Sequence, residues 1–87
     1  MSSGFVYLLL SAKDNKTYLG STDNLLRRQK EHEQGKCSST KYRRPLQLIY
    51  KEEFDSLSKA RIRERYLKTR KGRRELGKIF NDLNIGA

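Results

Sequence analysis

The chain has little of what usually fastens a small domain. Among its 87 residues there is one cysteine, one proline, one histidine and no tryptophan. A lone thiol, Cys37, makes no internal disulfide, and without a CxxC or HxxxH spacing there is no zinc framework. Long apolar runs are also missing. The longest, Phe5 to Leu10, spans six residues, short of the ~20 that cross a bilayer and of the roughly 7–15 in a signal-peptide core. These absences predict a cytoplasmic protein, not associated with membranes and held by packing alone. Hydrophobic residues make up 34% of the chain, and a polypeptide of this size buries only about 60–65% of the surface its unfolded form exposes. One modest core is therefore expected, in one domain over residues 1–87, with a narrow stability margin.

Acid is scarce too. Twenty Lys+Arg stand against ten Asp+Glu, a formal charge of +10. The excess is local: residues 41–76 carry thirteen bases and five acids, whereas residues 1–40 carry six and four. An excess gathered in one stretch makes a patch, the footprint of a protein that neutralises phosphates. Its densest part, Lys68 to Arg74, holds five bases and no acid. A solvated helix face or a site for anionic lipid would carry similar charge; the size of the excess favours nucleic acid. Charge alone does not make an enzyme.

Patterning orders the chain as ββαβαα around a small sheet. Phe5 to Leu10 is apolar at both parities, as in a central strand covered on both faces. Lys13-Asp14-Asn15-Lys16 reads as a turn, and Thr17 to Gly20 as the returning strand of a hairpin. An even loop length puts Tyr7 and Tyr18 on the same face, and an odd one separates them. Ser21-Thr22-Asp23 offers N-cap oxygens for a helix over Asn24 to Gln34 that closes at Gly35. On it, Leu25, Arg28 and His32 share one stripe, so charged groups stand where a packing helix places apolar ones. After the basic loop Lys36 to Arg44, Pro45 opens a third strand in which Leu46, Leu48 and Tyr50 alternate with Gln47, Ile49 and Lys51. Asp55-Ser56 caps a helix whose inward stripe is Leu57, Ala60, Glu64 and Leu67. Gly72 is expected to break the chain before a last amphipathic helix with Leu76, Ile79, Phe80 and Leu83, ending before Gly86.

Glu64 on an inward stripe must be neutral, paired or bound to a cation, because an unpaired buried carboxylate costs several kcal/mol. Arg28 is either its structural partner or a fork for phosphate. Mg²⁺ keeps most of its waters and takes one or two carboxylates plus substrate phosphate, so one Glu is compatible with one metal. His32 could donate to phosphate or shuttle a proton. Tyr7 and Tyr18 are ordinary strand residues by propensity. A tyrosine acts as a base only with a cation near its oxygen, since its ordinary pKa is about 10.

Taken together, these residues resemble the GIY-YIG nuclease superfamily. The resemblance is carried by Phe5-Val6-Tyr7, by Tyr18-Leu19-Gly20 and by Asn24-Leu25-Leu26-Arg27-Arg28 ending in His32. Thr40 to Leu46 and Ala60 to Lys68 are similar to the small stand-alone branch of that superfamily, and the match covers about residues 5–70. Phe5 stands where the family has glycine, which leaves the phenol of Tyr7 in place. The resemblance implies an α+β fold with a three-stranded antiparallel sheet flanked by helices. It also implies phosphodiester hydrolysis with one divalent cation, Mg²⁺ or Mn²⁺. By the same resemblance one of Tyr7 and Tyr18 deprotonates the attacking water, Arg28 stabilises the phosphate, His32 is auxiliary and Glu64 holds the metal. With no separate recognition domain expected, Lys41, Arg43 and Arg44 of the loop and Lys68, Arg70, Lys71, Arg73 and Arg74 would hold the nucleic-acid backbone.

The expected function is a monomeric, metal-dependent endonuclease acting on DNA more than RNA, structure-specific, in repair or recombination. Two other readings fit the same residues. One is a basic nucleic-acid-binding module without turnover. The other is an accessory subunit that docks a partner through the helix Leu76 to Leu83.

Overall fold

Residues 3–83 are described in a computed structural model, and the six elements follow the predicted order. Strands β1 (Gly4–Ser11), β2 (Thr17–Thr22) and β3 (Leu46–Phe54) form one antiparallel sheet in the order β2-β1-β3. The continuously apolar strand is thus the central one. Helix α1 (Leu25–Glu33) covers one face, and α2 (Leu57–Leu67) with α3 (Arg70–Asp82) covers the other. Among the described residues no helix is long and apolar enough to cross a membrane.

Register decides which side chains meet. Tyr7 pairs with Gly20 and Leu9 with Tyr18, so both phenols lie on the α1 face. On the opposite face Val6 joins Ala60 and Leu67 of α2 in a fully buried core, with Leu19, Phe54 and Leu76 against it. The alternation expected of Leu46, Leu48 and Tyr50 does not hold. Leu8 pairs with Tyr50 but Leu9 with Leu48, which leaves Ile49 as an extra residue at a bulge. Leu46 and Leu48 therefore face α1, whereas Tyr50, Glu52 and Phe54 face α2. That switch lets Glu52 meet Arg63 of α2 at 2.8 Å, and Arg63 also bonds Glu75 of α3. One guanidinium thus ties β3, α2 and α3 together. Its hydrogen bonds hold the Glu52 and Glu75 carboxyls below their ordinary range.

Helix ends differ slightly from expectation. Asn24, not the Ser21-Thr22-Asp23 group, caps α1, its side chain accepting from the Arg27 N–H at 3.0 Å. Ser56 caps α2 as expected. Gly72 does not break the chain: Thr69 caps α3 and Gly72 lies inside its first turn, donating its N–H to the Thr69 hydroxyl. The chain turns at Lys68 and Thr69, and Gly72 serves a close approach. A Cβ there would stand 1.9 Å from the Tyr66 carbonyl oxygen and 2.5 Å from Leu67 Cα. Gly86 lies outside the described residues.

Candidate active site

The α1 face of the sheet carries an aromatic cluster. Tyr7, from β1, is buried, and its ring centroid lies 6.3 Å from that of Tyr18 and 5.7 Å from that of His32. Tyr18 and His32 are 5.2 Å apart. Gly20 makes this possible. Directly across from Tyr7, a Cβ would stand 2.6 Å from the phenolic oxygen, so the ring lies over bare backbone.

Polar atoms link the cluster in a chain. The Tyr7 hydroxyl is 3.0 Å from His32 Nε2, and His32 Nδ1 is 2.7 Å from the hydroxyl of Thr40, in the basic loop. Arg28 donates from Nε to the Tyr7 oxygen at 3.4 Å and from one terminal nitrogen to Glu31 at 3.2 Å. Burial pushes the Tyr7 phenol up to about 12, against the pull of Arg28. Burial, reinforced by repulsion from Arg28, pushes His32 below its ordinary 6.5 and keeps the imidazole neutral at pH 7. The inward stripe of Arg28 and His32 is therefore explained: it faces the phenols.

Glu64 lies elsewhere. It belongs to α2, on the other face of the sheet, so the alternative of a buried Arg28–Glu64 salt bridge is not realised. Its carboxylate accepts from Ser21 and pairs with Lys68 at 2.6 Å, and its side chain keeps 21% of its surface exposed. Ser21 is the neighbour of Gly20 on the edge strand β2. The phenols and the carboxylate thus reach the same strand from opposite faces, and no bond joins Glu64 to Arg28, Tyr7 or Tyr18 among the described residues.

Among the described residues no group of three or more His, Cys, Asp or Glu could hold a metal ion. What is present is one partly exposed carboxylate beside one hydroxyl. That donor set fits Mg²⁺ or Mn²⁺ only as a site completed by water and substrate phosphate.

The expected phosphate-binding bases divide into two sets. Arg70, Lys71, Arg73 and Arg74 are exposed at the start of α3, whose first turn contains no acid. Lys68, just before them, pairs with Glu64. In the loop, Arg43 is bonded to Asp14 and to the Thr17 carbonyl, and Arg44 to the carbonyls of Lys41 and Glu33. Both arginines therefore also shape the loop. Lys41 lies 4.9 Å from the ring centroid of Tyr42, which is 74% exposed.

Four contributors have no role of their own assigned from sequence, although Gly20, Thr40 and Tyr42 lie within the segments that carry the resemblance. By local pattern Ser21 is a helix cap, and Thr40 and Tyr42 are parts of a polar loop. Gly20 carried a usable signal, since glycine inside a strand marks close backbone approach.

Residues 3–77 match the family model described as the GIY-YIG catalytic domain. A UPF0213 protein of Staphylococcus haemolyticus is 43% identical over 70 residues, covering 79% of this chain and 84% of its own. Another, from Pediococcus pentosaceus, is 42% identical over 69 residues, covering 78% and 73%. The solution NMR structure of a UPF0213 protein from Bacillus halodurans aligns with a TM-score of 0.51 at 31% identity, over 88% of this chain and 84% of that one.

Proposed function

Since this chain belongs to the GIY-YIG family, within its group of small UPF0213 proteins, we propose that it is a metal-dependent endonuclease that hydrolyses phosphodiester bonds, in DNA more readily than RNA. The observation that carries this reading is the Arg28–Tyr7–His32–Thr40 chain, an arginine held at the mouth of an aromatic cluster in a strongly basic protein.

Each group has a part. Arg28 presents a guanidinium that is always charged and meets a phosphate oxygen as charge develops on it. Tyr7 and Tyr18 are the two phenols available as base toward water: the Tyr7 oxygen has the Arg28 cation beside it but is buried and shared with His32, whereas Tyr18 is half-buried. Glu64, steadied by Ser21, would be the protein ligand for Mg²⁺ or Mn²⁺, and the bound ion would supply Lewis acidity. Arg70, Lys71, Arg73 and Arg74 sit at the positive end of α3, where backbone and side chains attract phosphate together. Lys41, Arg43 and Arg44 supply charge beside the cluster, and Tyr42 offers a flat face on which a base stacks.

The test is a panel of plasmid, single-stranded, flapped and four-way-junction substrates with Mg²⁺ or Mn²⁺. Cleavage of at least one, lost with chelator, is expected. Binding without product on every substrate would leave the module reading.

Lys68 adds a prediction. Its ammonium occupies one oxygen of the carboxylate assigned to the metal. Exposed ion pairs are worth about 0.2–1 kcal/mol, so Lys68→Met should lower the Mn²⁺ needed for half-maximal cleavage by about 1.4- to fivefold. An unchanged Mn²⁺ requirement would show that the pair does not compete.

A further inference from the structure

The Thr40 hydroxyl is wholly buried, and His32 is its one side-chain partner among the described residues. It lies in the loop that carries Lys41 and the exposed Tyr42, yet its own side chain is buried. Its place is at the far end of the chain that begins on Arg28.

The direction of that chain can be derived. His32 is neutral, so one ring nitrogen donates and the other accepts. Suppose Nε2 carried the proton. The Tyr7 oxygen would then receive hydrogen bonds from both His32 and Arg28, while its own O–H would have no acceptor among the described residues. Either sense leaves one buried hydroxyl proton without an acceptor among the described residues, that of Tyr7 here and that of Thr40 in the other, so the choice rests on which donor is the stronger. In the opposite sense the phenol, the most acidic hydroxyl present, donates to Nε2, and Nδ1–H donates to Thr40. The unmet proton is then that of a weakly acidic aliphatic hydroxyl, which forfeits less by it. The Tyr7 oxygen keeps its lone pairs for Arg28.

We propose that Thr40 is a positioning residue: by accepting the Nδ1 proton it fixes the His32 tautomer, which directs the Tyr7 proton away from Arg28 and holds the guanidinium over the site. The proposal rests on the hydrolytic reading for its consequence, but not for its geometry. It also fastens the substrate-binding loop to the arginine.

His32 is the only histidine in the chain, so its imidazole ¹⁵N signals in NMR are unambiguous. The wild type should show the Nδ1–H tautomer at neutral pH. Thr40→Val, similar in shape but without an acceptor, should shift the population toward Nε2–H and lower the cleavage rate about 10–100-fold, by analogy with the cost of losing a group that orients a metal-bound histidine. Thr40→Ser should restore both. The proposal is overturned by an Nε2–H tautomer in the wild type, by an unshifted tautomer in folded Thr40→Val, or by full cleavage despite a shifted tautomer. If Thr40→Val does not fold, the wild-type and Thr40→Ser spectra decide. A wild type inactive on every substrate would remove the hydrolytic reading, and the tautomer would still test the chain.

Discussion

Glu64→Gln is expected to reduce cleavage by about 10²–10³-fold or more while the protein stays folded and holds nucleic acid as well as before. The size follows from what is removed: a charge that acts in the transition state, with no equivalent nearby. The retained stability follows from the surroundings. The carboxylate is partly exposed, its pair with Lys68 is a surface one of small worth, and an amide oxygen can still accept from Ser21. Binding should weaken with salt to the same degree in both proteins, since the phosphate contacts are made by other residues. Two results would defeat this assignment. One is equal cleavage by variant and wild type with contaminating nuclease excluded. The other is loss of binding in parallel with cleavage, which would make Glu64 a structural residue.

Gly72→Ala should have the largest effect on stability. The new methyl would meet the backbone of Tyr66 and Leu67, at 1.9 and 2.5 Å. Backbone cannot swing aside, so α3 must lift off the end of α2, straining the Arg63 link to Glu75 and the packing of Leu76. Overpacking costs roughly 1–3 kcal/mol and sometimes more; here about 3 kcal/mol or more is expected, out of a total near 4–13 kcal/mol for a chain this long. The midpoint of thermal unfolding should fall by more than about 12 °C. Gly77, in the same helix, is the control. No atom stands within 4 Å of a Cβ placed there, and alanine should add about 0.5–1 kcal/mol through helix propensity. Equal melting of the two variants would mean that the helices separate freely.

Much of this fold is legible in local pattern. Phe5 to Leu10 announces a central strand because apolar residues fill both parities, and the stripe of Leu25, Arg28 and His32 announces a helix facing something polar. Pattern fails where a decision is made at a distance. The bulge at Ile49 depends on how β3 meets β1, so nothing within Leu46 to Tyr50 separates Leu48 from Tyr50. Gly72 looks like punctuation until Tyr66 is seen against it. The candidate site divides the same way. Tyr7, Tyr18, Arg28 and His32 come together as a set, but the opposite approach of Glu64 is set by which face α2 covers. Ser21 and Thr40 stayed hidden because short hydroxyl residues have local uses everywhere in a chain.

Strand β2 is the outermost of the sheet on its side, with Tyr18 and Gly20 turned one way and Ser21 the other. Any nucleic acid that engages both sets must straddle this rim, and the rim must stay bare. Exposed strand edges invite pairing with another chain. If the site hydrolyses nucleic acid as proposed, a second molecule adding its own strand there would wall it off from substrate, so self-association along β2 and turnover would exclude each other.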